Sequence, residues 1–360
     1  MMTTVYVGLS GGVDSATSAA LLQQRGYRVV GVFIKIWQPE FIECTWRKDR
    51  LDAMRVAATL GIPFKEIDLS AQYESEVVKT MLQSYASGET PNPDVLCNKV
   101  VKFGAFARWA FADGADMVAT GHYARIGEEN GRTTLVRGID TSKDQSYFLH
   151  LLSENDLQRT LFPLGELTKL QVRKKAQSFG LPVASKPDSQ GLCFVGDVSM
   201  RDFLKRFIPL HEGNVVDSKG SIVGIHEGAA LYTVGQRHGF TVEKSGPSSP
   251  SYYVVSVDTV HNTITVSANR SDVCSMYAHV REIHWISGEP PADSARLLAQ
   301  TRYHGQPVEV TLAPQGDTTR VLFSEPHIVS PGQSIVFYSG DTVLGGGVLH
   351  TTHAKRASEL

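Results

Sequence analysis

The sequence predicts a multi-domain α/β + β protein: an N-terminal Rossmann-like parallel sheet with helices on both faces, a small β domain, and a C-terminal antiparallel β-barrel. Three observations predict it. Through about residue 150, short apolar runs alternate with amphipathic stretches. A glycine-rich loop joins the first run to the first amphipathic stretch. From about Gly213 the runs shorten, alternate with period two, and are separated by Asp, Gly and Asn turns.

Residues 5–9 read as a buried strand, and 15–25 as a helix ended by Gly26. Arg28–Lys35 is a second strand, dense in β-branched residues, and Trp46–Leu60 a helix stopped by Gly61 and Pro63. A third strand spans 64–69 and a helix 70–85, capped by Ser70. Residues 87–98, with two prolines and a glycine, read as a loop, and helix returns over 99–111. Residues 116–120 form a fourth short strand. Residues 153–180 read as helical, with Thr168 as a cap, and 184–198 as irregular. The expected domains are 1–207, 208–275 and 276–360. Ligands are expected at the carboxyl ends of the parallel strands.

With 42% hydrophobic and 20% charged residues among 360, the chain has enough apolar material for two or three packed domains. A net charge of −2 excludes a uniformly basic nucleic-acid coat, so RNA contact requires local patches. The N-terminus reads as lacking a leader, and no apolar stretch approaches membrane-spanning length, so a cytoplasmic protein is expected. The four cysteines form no CxxC pair, so neither a structural metal nor a disulfide framework is expected.

The loop Gly8-Leu9-Ser10-Gly11-Gly12-Val13-Asp14-Ser15 follows a strand and opens a helix. Glycines let backbone approach a phosphate, and the amide groups and positive end of the helix then hold it. No lysine stands at the helix start, so this is not a Walker loop. Asp14 is the nearest carboxylate to a Mg2+ ion accompanying ATP. Cys97 and Cys193 lie in stretches rich in Pro, Asp, Asn and Gly, off any regular helical face, with Lys99 and Lys186 near in sequence to lower a thiol pKa. From the residues alone, buried filler is the commoner fate of a free cysteine, and it is the reading that Cys44 and Cys274 receive. Lys169, Arg173, Lys174 and Lys175 cluster on an expected helix, as a phosphate-contacting face or as a solvated surface.

The string SGGVDS (10–15) resembles the signature of the PP-loop ATP pyrophosphatases, which share the adenine nucleotide alpha-hydrolase-like fold. Together with TPNPDVLCN (90–98), GHYAR (121–125), KDQSYFL (143–149), KPDSQGLCFVG (186–196), LYTVGQRHG (231–239) and PGQ (331–333), it resembles the tRNA-specific 2-thiouridylase family along nearly the whole chain. The resemblance implies adenylation by ATP of the 2-carbonyl oxygen of the wobble uridine (position 34), then sulfur transfer from a cysteine persulfide, giving 2-thiouridine, AMP and pyrophosphate. It implies Cys97 as nucleophile, Cys193 as persulfide carrier, a transient disulfide between them, and Asp94 as acid/base. It adds Ile34 and Gly121 to the nucleotide site, and Asn92, Pro93 and Asp94 around the target base. His122, Lys143, Asp144, Gln145, Arg302, Tyr303 and Gln333 are implied as further RNA contacts, the last three in a tRNA-contacting barrel. Implied partners are the tRNAs for Gln, Lys and Glu and an upstream persulfide donor or relay protein, with no membrane.

The chain departs from the family pattern at Ile36, where the family often has Asn, and at 343–347 (VLGGG), which lacks a frequent cysteine. Two rival functions are another PP-loop enzyme, of amidotransferase or synthetase type, and a non-catalytic nucleotide-sensing RNA-binding protein. The first does not need two loop cysteines.

Overall fold

The structure is a computed structural model that describes residues 2–42, 46–188, 198–243, 250–292 and 296–350. In chain order its first elements are β1 (Thr4–Gly8), α1 (Val13–Gln24), β2 (Arg28–Lys35), α2 (Trp46–Leu60), β3 (Phe64–Asp68), α3 (residues 70–86) and α4 (residues 93–112). They are followed by β4 (Met117–Ala119), β5 (Ala124–Glu129), β6 (Arg132–Arg137), α5 (Glu154–Gln158), β7 (Thr160–Leu161), α6 (Lys169–Ser178) and α7 (Met200–Phe207).

The first sheet is parallel, in the order β3-β2-β1-β4-β7. Both faces of β1 are covered, which is why its sequence is continuously apolar. Val5 and Val7 pack with Ala16 and Ala19 of α1 and Val56 of α2. Tyr6 faces the opposite layer, with Val77 of α3 and Phe106 of α4. The strand order reverses beside β1, so the gap between β1 and β4 is the switch point at which such sheets hold ligands.

Four local expectations are corrected. Ser70 is the first helical residue of α3, and its N–H is accepted by Asp68 Oδ1 at 2.9 Å, so Asp68 does the capping work. α4 starts at Pro93 rather than near residue 99. Asn92 is its N-cap, its Oδ1 accepting from Val95 N–H at 3.4 Å, and proline suits the first helical position because it lacks the unneeded N–H. Residues 153–180 are two helices separated by β7, which pairs with the otherwise open side of β4. Thr168 does cap α6, in a reciprocal box with Gln171. The fourth correction is the hairpin β5–β6, unanticipated although Asn130 (φ 52°) and Gly131 (φ 75°) form its tight turn.

The remaining strands form two sheets. β8 (Gly213–Val216), β9 (Ile222–His226), β10 (Phe240–Val242), β11 (Tyr253–Asp258) and β12 (Thr263–Ser267) make the small middle sheet, with β8 and β12 parallel and the other pairs antiparallel. β13 (Cys274–Trp285), β14 (Leu297–Gln300), β15 (Val308–Gln315), β16 (Thr318–Ile328), β17 (Ser334–Ser339) and β18 (Thr342–His350) form the antiparallel barrel, closed by β13 against β18. Its core includes Val280, Ala299, Val321, Ile335 and Phe337. β6 pairs with the start of β18, Leu135 opposite Val343, so the N-terminal domain adds its own hairpin to the barrel sheet.

Leu135 is fully buried in the cluster containing Val336, Tyr338 and Val343. Leu135→Ala is expected to cost about 2–5 kcal/mol of stability, read as a lower midpoint in chemical denaturation.

Candidate active site

The first turn of α1 is left without a side-chain cap. Gly12 is the N-cap and offers no side-chain acceptor to the amide groups that follow it. Gly11 has φ +74°, and a Cβ there would run into the Asp49 backbone. Ser10 N–H donates to Ser15 Oγ at 3.1 Å, and Ser15 Oγ donates to Gly12 O at 3.2 Å, folding the loop back on the helix start. On the other side, a Cβ on Gly121 would stand 2.7 Å from Ser15 N and 3.1 Å from Asp14 Cβ. Glycine therefore lets the segment after β4 pass directly over α1.

A cavity of about 300 Å³ opens at this point, the size of a small ligand site. The loop supplies Gly8, Leu9, Ser10, Asp14 and Ser15; β2 and the residue after it supply Ile34 and Ile36. Thr120, Gly121 and His122 form the wall after β4, and Gln145 lies beside them. The last wall is α4, through Cys97, Val101 and Lys102. Gly8, Leu9, Ser10, Asp14 and Ser15 of the glycine-rich loop, with Ile34, Gly121, Cys97, His122 and Gln145, are thus brought to one cavity; Gly11, Gly12 and Val13 are not in its wall.

Cys97 is not in a loop, as expected, but inside α4 at 3% exposure. The helix is wound with wider π turns over Cys97–Phe106, a form common at functional sites. Lys99 is turned to Asp156, 3.7 Å away; Lys102 is the cation sharing the cavity with the thiol. Lys102 was not legible in the sequence, because Asn92-Pro93 reads as loop and hides that one helix carries both Cys97 and Lys102. Cys193, with residues 189–197, lies outside the described residues, as does Cys44.

Asp94 stands in the first turn of α4, one turn before Cys97. Burial raises its carboxyl pKa, and Lys102 partly opposes the rise. His122 is buried between Phe103 and Phe162. Burial and the Lys102 charge push its pKa well down, so it is neutral. Lys102 Nζ, a donor only, lies 3.5 Å from His122 Nε2, which therefore accepts and leaves the proton on Nδ1, facing Thr120 Oγ1 at 2.7 Å.

Asp14 accepts from Tyr123 Oη at 2.8 Å and from Lys169 Nζ at 2.8 Å to each oxygen. Lys169 and Arg173 of the basic cluster therefore point into the domain, since Arg173 pairs with Asp188. Lys186 donates to Gly11 O at 3.0 Å and pairs with Asp49 and Asp52 at 2.8 Å.

The expected RNA residues divide. Asn92 and Pro93 form the start of α4. Gln145 accepts from Tyr123 N–H at 3.1 Å, and Lys143 pairs with Asp188 at 3.1 Å. Asp144 is buried, accepting from Gly138 N–H and from the Ser146 amide and hydroxyl. Arg302 donates to Val234 O at 3.1 Å and Ser330 Oγ at 2.8 Å; Gln333 donates to Thr90 O at 2.8 Å. Tyr303 packs on Phe148, ring centroids 4.3 Å apart. These three barrel residues sit at seams between domains, outside the cavity wall. Thr90 N–H also donates to Pro331 O at 2.8 Å, and Glu89 pairs with Arg281 at 2.8 Å, so the barrel grips the segment leading into α4.

Gly121→Ala is expected to displace the first turn of α1 and weaken ATP binding by about tenfold or more, measured by titration calorimetry, with secondary structure retained.

Residues 3–197 match the family model described as the tRNA methyl transferase HUP domain, 201–268 the tRNA methyl transferase PRC-barrel domain, and 276–349 the aminomethyltransferase beta-barrel domain. The tRNA-specific 2-thiouridylase MnmA of Ralstonia nicotianae is 43% identical, over 97% of this chain and 96% of that protein. Its counterpart in Cupriavidus metallidurans is 44% identical over 96% of this chain and 98% of that protein. The counterpart in Pasteurella multocida is 43% identical over 96% and 93%. With matching domains in matching order and full-length relatives well above 30% identity, the chain belongs to the tRNA-specific 2-thiouridylase family.

Proposed function

We propose that this protein is an ATP-dependent tRNA-uridine 2-sulfurtransferase acting on the wobble position. The observation that carries the reading is that Cys97 and the glycine-rich loop line one cavity. A group activated by ATP there lies within reach of a thiol, which no simple nucleotide sensor requires.

The 8–15 loop holds the triphosphate and Ile34 gives apolar contact to adenine. Asp14 is a single carboxylate at the cavity wall whose two oxygens accept from Lys169; with that lysine drawn to the phosphates it would hold Mg2+ together with phosphate oxygens and water, and Mg2+ would neutralise phosphate charge. The uracil 2-carbonyl oxygen attacks the α-phosphate and pyrophosphate leaves, turning that oxygen into part of a good leaving group. Asp94, with its carboxyl raised by burial, is suited to holding and moving a proton beside the base. The terminal sulfur of a persulfide on Cys193 attacks C2 and expels AMP. The Cys97 thiolate then attacks Cys193 Sγ, breaking its bond to the transferred sulfur. This leaves C2=S and a Cys97–Cys193 disulfide, which a two-electron reductant reopens. In the second order of events Cys97 attacks Cys193 first and frees hydrosulfide, which attacks the adenylate; the same disulfide results.

The substrates are assigned as the tRNAs for Gln, Lys and Glu, and sulfur arrives from a persulfide donor or relay protein. A wobble base in a single-stranded loop can be turned out into a pocket. Arg302, Tyr303, Gln333 and Lys143 are assigned to the RNA, the first three at seams that RNA binding would press on. No helix among the described residues is long and apolar enough to cross a membrane; a cytoplasmic location fits a tRNA enzyme.

Mass spectrometry of tRNA incubated with ATP, a persulfide donor and the protein is expected to show one sulfur gained for one oxygen at the wobble uridine. Cys97→Ser and Cys193→Ser should each reduce product to background while Cys97→Ser still releases pyrophosphate. Product in both variants at the parental level would refute the assignment.

The pH profile gives a second test. Asp94 acts as a base only above its pKa, which burial raises, so the acid limb lies above the ordinary carboxylate range. Lys102 stabilises the anion, so Lys102→Ala should move that limb further up in pH. Asp94→Asn should remove it.

A further inference from the structure

Asp188 gathers three cations. Its Oδ1 lies 2.8 Å from Lys169 Nζ and 2.7 Å from Arg173 Nη2, both on α6, and its Oδ2 lies 3.1 Å from Lys143 Nζ. Lys169 Nζ in turn is 2.8 Å from both oxygens of Asp14, on the wall of the nucleotide cavity. One lysine therefore bridges the glycine-rich loop to Asp188, and another joins Asp188 to the segment that carries Gln145, itself a cavity residue. Arg173 is fixed independently, donating to Ala184 O at 3.1 Å and Lys186 O at 3.0 Å. Lys143 and Lys169 are held at their ammonium groups by carboxylates. Asp140 adds a further brace, accepting from the Lys169 N–H at 2.8 Å. Burial alone would raise the Asp188 carboxyl, but Lys169 and Lys143 outweigh it and hold the pKa down, so the hub is an anion.

We propose that Asp188 is a positioning residue that couples the nucleotide site to the RNA face, because Lys169 and Lys143 must each be drawn off this one carboxylate by its own ligand. The proposal rests on the assignments of the 8–15 loop to ATP and of Lys143 to RNA made above. A triphosphate arriving beside Asp14 attracts Lys169, and a phosphodiester arriving at Lys143 attracts that side chain. Whichever cation leaves first, Asp188 keeps more uncompensated charge and holds the other harder. The coupling is therefore antagonistic, and linkage makes it equal in both directions. Such a device weakens RNA and nucleotide for each other while both are bound, which favours release after turnover.

The test measures binding of a non-hydrolysable ATP analogue to the full chain, with and without unmodified tRNA, and of tRNA with and without the analogue. In the parent, each ligand is expected to weaken the other by about fivefold, the low end of ordinary coupling between sites. Asp188→Asn should bring the ratio close to one while each ligand alone still binds, and Asp188→Glu should restore it. Should Asp188→Asn fail to fold, Lys143→Met removes one arm of the hub and should likewise bring the ratio close to one. A ratio of one in the parent, mutual strengthening, or a ratio unchanged in the variants overturns the proposal. A chain that makes 2-thiouridine yet shows no coupling loses this inference alone; a chain that makes none loses the proposed function instead.

Discussion

The contact on which the site depends is the approach of Gly121 to the first turn of α1. The parallel sheet fixes where β1 and β4 end, but not how near the two following segments come. With no side chain at 121, the wall bearing Thr120 and His122 closes against Ser15 and Asp14. The cavity that results is small, and α4 can roof it with Cys97 and Lys102. A larger residue at this one position would separate the glycine-rich loop from the wall after β4. Burial then tunes the titratable groups: it keeps His122 neutral in the cavity wall and raises the carboxyl pKa of Asp94, one turn before Cys97 on α4.

The barrel and middle sheet bear on this cavity through the segment before α4. Thr90 is held by Pro331 and Gln333 from the barrel and by Thr233 from the loop before β10, while Glu89 pairs with Arg281. Asn92 and Pro93 follow directly and set the start of the helix that places Cys97. Arg302 closes the seam from the other side through Val234 and Ser330. The outer domains thus have a short covalent and hydrogen-bonded route to Cys97. The hairpin β5–β6 gives a second tie, since it leaves the catalytic sheet and joins the barrel.

Much of this was legible in the sequence where local and tertiary preferences agree. β2 and α2 fall at the expected bounds because an unbroken β-branched run suits a strand covered on both faces, and because Gly61 ends α2 at a position with φ +63°. The glycine-rich loop was legible because its spacing encodes a strand-to-helix turn. The start of α4 was not, because Pro and Gly at 88–93 read as loop although Asn92 and Pro93 are a helix start. β5–β6 was missed because its outer partner, β18, is distant in the chain, although Asn130-Gly131 marked the turn. The charges of Lys169 and Arg173 were visible, but not their inward direction, which Asp14 and Asp188 decide. Which sulfur faces Cys97 rests on the family pattern, since Cys193 lies outside the described residues.

The central claim is that the thiol in the nucleotide cavity completes sulfur transfer by attacking the second cysteine. The most direct measurement is peptide mapping, without reductant, of persulfide-loaded protein quenched after a single turnover with ATP and tRNA. A Cys97–Cys193 disulfide formed in proportion to the thiolated tRNA is the expected result. Thiolated tRNA accompanied by a Cys97 that remains a free thiol would contradict the account.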